Sequence, residues 1–332
     1  MSDTDIEEGL EPEAITIQDV GRAAERLGPY VLRTPVLQHD LEGGGRLLCK
    51  AECLQQTGSF KVRGAFNLVA SLALRDVVLV AHSSGNHAQA VAMAASRMGY
   101  RAIVVMPDSA PRLKVERTRI LGAEVLFVGS DSRERKERAW ELAAKPGRLL
   151  VPPYDHLLVA AGQGTAGLEL VEDAGCFDRY YCPVSGGGLM AGTATAIHAL
   201  CPDCEIVGVE PESGADTKIS LEQGRRLEVP TPRTIADGLC VRKPGRVTFP
   251  MLQRLVDRVE LVSDGELIDA IAWALSRLRV VLEPSGAAAL AVALRESPPG
   301  RSAVLLSGGN LDPSLWPQVL AIAGREASTK SG

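Results

Sequence analysis

The sequence predicts an α/β protein of two doubly wound domains with mainly parallel sheets. Three observations carry that prediction. Short apolar runs alternate with helix-periodic segments that stop at glycine, as in Val77–Ser83 followed by "HAQAVAMAASRMG". Aromatic residues make up only 4% of a chain that is 45% hydrophobic, so Ala, Val, Leu and Ile must build the core, a mixture suited to parallel strands covered by helices. Finally, the glycine-bearing loops Ser84–Asn86, Ser185–Gly188 and Ser307–Asn310 each follow a strand directly, where open parallel sheets bind ligands.

The elements follow in order. "TIQDVGRAAERLG" reads as a helix with Thr16 as N-cap, Asp19 three residues later and Gly28 as stop. "RLLCKAE" is a short strand. Three strand–helix units then run from Val77 to Lys145: "VVLVAHS", "RAIVVMP" and "AEVLFVG" are the strands, each followed by a helix. A second set begins after Gly147, with the helix "GQGTAGLELVEDAG" and the strand "RYYCPV", whose glycine loop opens the helix "LMAGTATAIHAL". "EIVGVEPE" is a strand. "DGELIDAIAWALSRLR" is a helix capped by Ser263 or Asp264, "GAAALAVALRES" is another, and "SAVLLSGGN" is the last strand with its exit loop. The predicted division is a large domain, 1–74 with 149–332, and a smaller one, 75–148, inserted into it.

Several classes are excluded or disfavoured. Net charge is −5 and no long basic run occurs, which disfavours nucleic acid. The cluster of Arg133, Arg135, Lys136 and Arg138 is interleaved with glutamates and reads first as a solvated helix face. No run of about 18 apolar residues exists for a membrane span. The acidic start "MSDTDIEEGLEPEA" is unlike a secretory leader, and the 7 scattered cysteines read as free thiols of a cytoplasmic protein. "CPDC" is weak as a zinc motif, because no second pair completes it.

Lys61 in "QTGSFKVRGAFN" is the first chemical clue. The chain has 8 lysines against 28 arginines, and this one stands between Phe60 and Val62 at the start of a helix. "VSGGGL" is the second. Consecutive glycines between a strand and a helix turn backbone N–H groups toward an anion, and the helix dipole adds to their pull. No Gly-Lys-Ser/Thr follows, so this is not a nucleotide P-loop; the ligand expected is one phosphate on a small cofactor. A desolvated lysine with a single phosphate site points to pyridoxal phosphate, whose aldehyde the amine would bind. Ser83, Ser84 and Asn86 form a second anion site suited to a substrate carboxylate. Ser307 offers a neutral hydroxyl to a pyridine nitrogen, which would favour expulsion of a β-substituent over transamination.

With these residues in place, the chain resembles the threonine/serine dehydratase and serine racemase family, the fold-type II pyridoxal-phosphate enzymes with a tryptophan synthase β-like fold. The resemblance runs from about Thr34 to Asp312 and rests on "TGSFKVRGA", "SSGNHAQA", "AGQGTAGLEL", "VSGGGLMAG", "VEPE", "TIADG", "LEPSGAAALA" and "LSGGN", in that order. It implies that Lys61 holds the cofactor with Phe60 beside the ring, and that Asn86 meets the ring hydroxyl. Gly186, Gly187, Gly188 and Leu189 would give N–H groups to the phosphate. Ser307 would meet the ring nitrogen, with Gly238 and Glu283 lining the ring. Ser83, Ser84 and His87 would surround the substrate carboxylate, and Ser84 would act on the face opposite Lys61. Glu210, Gly214 and Asp216 resemble a site for Mg²⁺ or Ca²⁺. A homodimer is also implied. Ser185 departs from the usual four-glycine loop but keeps its backbone N–H. Val62 and His87 set the chain apart from the related synthases.

The activity implied is deamination of a 3-hydroxy amino acid, with L-threonine and L-serine foremost, to a 2-keto acid and ammonia. Serine racemisation and dehydration of 3-hydroxyaspartate are the alternatives, with Arg133 the candidate for a second carboxylate. A catalytically silent protein that binds pyridoxal phosphate or an amino acid is the rival of another class.

Overall fold

The structure, a computed structural model, describes residues 14–73, 76–83, 85–110, 112–129 and 132–328. Ser84 and the predicted boundary at 74/75 lie outside the described residues. The chain begins with α1 (Ile17–Leu27), where Thr16 and Asp19 form the expected capping box and Gly28 is the C-cap. Val20, Ala23 and Leu27 form its buried stripe. β1 (Val36–Asp40) and β2 (Arg46–Lys50) follow as an antiparallel pair, and α2 (Lys61–Ala70) carries the lysine at its first turn.

The next stretch alternates strictly. It comprises β3 (Val78–His82), α3 (Asn86–Met98), β4 (Arg101–Met106), α4 (Arg112–Ile120), β5 (Glu124–Phe127), α5 (Ser132–Ala143) and β6 (Arg148–Leu150). Its four strands form one parallel sheet in the order β5-β4-β3-β6. Then come α6 (Leu157–Ala174), β7 (Arg179–Pro183), α7 (Gly188–Leu200), β8 (Glu205–Pro211), α8 (Asp216–Glu222), α9 (Phe249–Leu255) and β9 (Arg258–Val262). The last elements are α10 (Asp264–Trp273), α11 (Pro284–Glu296), β10 (Arg301–Leu305) and α12 (Trp316–Ser328). The second sheet has six strands in the order β1-β2-β10-β7-β8-β9, parallel except for β1. The fold class is therefore the expected one.

Details differ from the sequence reading. The helix expected from Gly162 starts at Leu157, because the imidazole of His156 caps it by accepting from the Leu158 N–H at 3.1 Å. Ser263, not Asp264, caps α10, which gives way at Ala274 to a π-helical turn. The polar strands β1 and β9 lack the unbroken apolar run of the central strands, and the sequence reading does not contain them. Cysteine chemistry also differs: Cys176 and Cys201 form a disulfide, so the seven cysteines are not all free thiols. The physical reason is tertiary. α6 and α7 lie side by side on the sheet, and their C-terminal ends bring two cysteines 25 residues apart to a Cα separation of 5.5 Å. The "CPDC" pair does not bond; Cys204 stays free and buried. Among the described residues, no helix is long and apolar enough to cross a membrane.

Two packing features hold Lys61 in place. Arg63, fully buried, donates to both oxygens of Glu52 at 2.8 Å and to both of Glu169 at 2.7 Å. Lys50 joins the cluster through Glu169 at 2.7 Å and the Thr34 carbonyl at 2.7 Å. The second feature is the close crossing of α6 and α7. A Cβ at Gly192 would stand 2.1 Å from the Ala160 carbonyl oxygen, and one at Gly164 would meet the Gly192 carbonyl at 2.8 Å. Only glycine lets these backbones approach so closely. Gly192→Ala is expected to cost about 1–3 kcal/mol, since the added methyl meets backbone that cannot rotate away. A lower denaturant midpoint at an unchanged m-value will show it.

Candidate active site

Both sheets send their strands' carboxyl ends toward the same groups. β2 leads into the turns before Lys61, β3 into Ser83–Asn86, β7 into Val184–Gly188 and β10 into Leu306–Asn310. Backbone contacts stitch these exits together: Ser59 pairs with Gly308, and the Phe60 N–H donates to the Ser307 carbonyl at 3.2 Å. Thr57, in the turn before the lysine, holds a left-handed φ of 62°, which costs a β-branched residue energy. The hydroxyls of Thr57 and Ser59 are buried there with no partner among the described residues.

Lys61 is half-buried, with its ammonium 5.0 Å from the centroid of the Phe60 ring. Nζ donates to the carbonyl of Pro153 at 2.9 Å, a contact from a residue 92 positions away. Burial brings its pKa down to about 8, against a smaller upward pull from Glu283. Glu283 itself is buried, and desolvation, then repulsion from Asp237, raises it to about 7. Asn86, which begins α3, donates to Glu283 at 2.6 Å and accepts from Asn310 at 2.7 Å.

A chain of hydrogen bonds joins the glycine loop to Ser307. Ser185 donates to the Gly238 carbonyl at 3.1 Å, the Gly238 N–H donates to Ser285 at 2.9 Å, and Ser307 donates to the Ser285 carbonyl at 3.3 Å. Ser185 takes a left-handed φ of 54°, the backbone of the glycine it replaces. Gly187 also has positive φ, but its N–H closes a turn onto the Val184 carbonyl at 3.0 Å. That donor is engaged by the turn in this structure, and the left-handed φ is what Gly187 contributes to the shape of the loop. Gly188 and Leu189 open the 13-residue α7, so their N–H groups have no carbonyl one turn back and face the positive end of the helix.

Three other expected residues stand differently. The His87 ring is buried with Nε2 donating to the Val151 carbonyl at 2.8 Å, and burial lowers its pKa to about 3. It is a neutral ring tied to backbone, and its amide lies in the first turn of α3. Arg133 is 79% exposed on α5 and pairs with Glu137 one turn on at 2.9 Å, the solvated helix face of the simpler reading. Ser83 accepts the Gly85 N–H at 3.1 Å.

Glu210 ends β8 and accepts the Thr217 and Lys218 N–H groups at 3.0 and 2.9 Å. Asp216 is fully buried, and neither of its carboxylate oxygens has a hydrogen-bond partner among the described residues. Burial, then mutual repulsion, pushes Asp216 well above the usual carboxylate range, and burial raises Glu210 too. Among the described residues, no group of three or more His, Cys, Asp or Glu is placed to hold a metal. Two carboxylates with the nearby Gly214 are what the chain offers.

The stretch "PPYDHLLVAAGQGT" resembles dehydratases of 3-hydroxyaspartate, but sequence reasoning gives Pro153, Tyr154 and Asp155 no role in the site. "PPYDH" carries no spacing signal, yet the Tyr154 ring lies against the glycine loop: a Cβ on Gly186 would fall 2.4 Å from its carbons. Burial raises the Tyr154 pKa to about 12, so its hydroxyl stays protonated.

A depressed lysine amine, a neutral hydroxyl and a glycine-rich helix start, gathered at the carboxyl ends of parallel strands, define an enzyme that binds a phosphorylated aldehyde cofactor. Residues 27–308 match the family model described as "Pyridoxal-phosphate dependent enzyme", and the chain belongs to that family. It is 42% identical to the L-threo-3-hydroxyaspartate ammonia-lyase of Pseudomonas sp, over 91% of this chain and 97% of the relative. It is 39% identical to the serine racemase of Schizosaccharomyces pombe, over 90% and 94%. Among solved structures, a threonine deaminase from T.th. superposes with a TM-score of 0.86 at 46% identity, covering 90% of this chain and 99% of the other.

In the protein stripped of cofactor, the Lys61 amine should titrate near pH 8. Competitive acylation mapped by mass spectrometry should place its half-reaction there, about two pH units or more below an ordinary lysine.

Proposed function

We propose that this protein is a pyridoxal-phosphate-dependent ammonia-lyase that converts a 3-hydroxy amino acid to a 2-keto acid and ammonia. The observation that carries the reading is Lys61. Its amine is held by one carbonyl, with no carboxylate bonded to it among the described residues, and is depressed toward neutrality. The residues fit the cofactor: Lys61 for the aldehyde carbon, the Gly186, Gly188 and Leu189 N–H groups for the phosphate, and Ser307 for the ring nitrogen. Phe60, Asn86, Gly238 and Glu283 would line the ring. Bound there, the cofactor supplies an electron sink for the substrate's α-carbon.

The chain's own groups do the rest. The start of α3, with Ser83, Ser84 and His87, would orient the substrate carboxylate. The neutral Lys61 amine takes the α-proton, and a pKa near 8 keeps a useful fraction unprotonated at neutral pH. The β-hydroxyl leaves as water, its extra proton balanced by the one removed from the α-carbon; a second water hydrolyses the enamine or imine product to keto acid and ammonia. The Ser307 hydroxyl, which donates to the Ser285 carbonyl in this structure, would turn its proton to the ring nitrogen, where a carboxylate would instead favour transamination. The unit from 75 to 148 would act as the inserted domain that closes over the site, and Ser84 would face Lys61 for racemisation.

L-Threonine and L-serine remain the default substrates. A second reading, 3-hydroxyaspartate, is favoured by relatives of that name at 42% and 40% identity. Lys61→Ala should abolish turnover and the visible absorbance of the lysine-bound cofactor; normal keto-acid production by that variant would sink the assignment. Keto-acid assays over L-Thr, L-Ser, D-Ser and the 3-hydroxyaspartate isomers, with chiral analysis of leftover substrate, should show one preferred 3-hydroxy acid. A yellow protein inert on all of them would favour a silent binding protein.

The orphaned oxygens of Asp216 fit a hard cation, with Glu210 and the Gly214 carbonyl as companions. Mg²⁺ or Ca²⁺ is expected to raise the melting temperature of the unsubstituted protein and to leave Asp216→Asn unchanged. Equal shifts in both would remove the cation from this reading. A homodimer in the cytoplasm completes the proposal.

A further inference from the structure

The segment Pro153–Asp155 touches both halves of the site. Its first residue accepts the Lys61 amine at 2.9 Å. Its second packs against the glycine loop: Cβ atoms added at Gly186 and Gly188 would fall 2.4 and 2.9 Å from Tyr154. Its third, Asp155, accepts the backbone N–H groups of Arg246 at 2.9 Å, Val247 at 2.7 Å and Thr248 at 3.4 Å. The 245–248 turn that these bonds hold then returns to the glycine loop. The buried Thr248 hydroxyl donates to the Gly186 carbonyl at 2.7 Å, and the Gly245 N–H donates to the same oxygen at 3.3 Å. The turn is drawn in so closely that a Cβ on Gly245 would lie 2.5 Å from an Asp155 carboxylate oxygen.

We propose that Asp155 is the positioning residue of the phosphate cradle, and that its segment ties the cradle to the Lys61 amine. A loop with consecutive glycines has many backbone conformations, and only one aims its N–H groups at a phosphate. The Gly186 carbonyl is the handle: two donors hold it, and both belong to the turn that Asp155 anchors. Orienting that carbonyl fixes the peptide plane between Gly186 and Gly187 and hence the approach to α7. Pro153, two residues before Asp155, sets the lysine amine from the same anchor. The inference rests on the proposed function, since it concerns how the chain holds pyridoxal phosphate.

The test compares pyridoxal phosphate with pyridoxal, which lacks the phosphate, in titrations of the apoprotein followed by visible absorbance. Asp155→Ala is expected to weaken pyridoxal phosphate binding about 10- to 100-fold, the range for losing hydrogen bonds to a charged group, while pyridoxal binding changes far less. Asp155→Asn keeps one acceptor oxygen and should recover part of the loss. Thr248→Val, nearly isosteric, should show the same phosphate-selective weakening and decides the matter if the Asp155 variants do not fold. The visible band should also move in Asp155→Ala, because the lysine loses its setting; an unmoved band would break the link to Lys61. Equal weakening toward both ligands, or none, overturns the positioning role. Absence of any visible band in the unsubstituted protein would instead overturn the proposed function.

Discussion

The site depends on one buried cation. Arg63 sits two residues past Lys61 with no exposure to solvent, and it is held in that position by two carboxylates on different elements. Glu52 belongs to the turn leaving β2, and Glu169 to α6. An unpaired guanidinium there would be strongly unfavourable, so the first turn of α2 cannot shift without breaking both pairs. Lys61 inherits that position. A residue two places earlier on a helix points to a different face, so the same anchor that buries Arg63 turns the lysine the other way, toward the Pro153 carbonyl.

That geometry explains how one lysine can be half-buried and still reactive. Its amine needs a partner while uncharged and while charged, and the Pro153 carbonyl serves both states. A carboxylate in contact would have held the proton instead. Glu283 is near enough to pull the amine's pKa upward, but it is itself pushed up to about 7 and spends an oxygen on Asn86. The cluster thus holds few fixed charges: an amine whose pKa is brought down to about 8, a neutral His87 and serine hydroxyls. Such a set suits proton transfer at the α-carbon better than it would suit permanent ion pairing.

Small residues give the rest of the site its shape. The α6–α7 crossing works because Gly164, Gly167 and Gly192 have no side chains. Those two helices flank β7, and α7 begins at the glycine loop, so their spacing decides where the loop's N–H groups point. The low aromatic content and the anion cradle are two consequences of the same choice of alanine and glycine.

The local features were legible in the sequence: the alternation of strands and helices, the cap at Thr16, the glycine loops, and Lys61 among apolar neighbours. These depend on periodicity and on residue-specific backbone freedom, which neighbours in the chain reveal. Tertiary structure alone decided which groups meet. The pairing of Cys176 with Cys201, the tie of His87 to Val151 and the contact from Pro153 to Lys61 all join positions whose partners no spacing rule identifies. Ser185 shows both levels at once. Its place in a glycine-type loop could be read from the chain, but its left-handed backbone and its bond to Gly238 arise only when the loop is packed against a segment 53 residues away. Sequence determined which chemistries were on offer; packing decided which donors, acceptors and charges were left free to perform them.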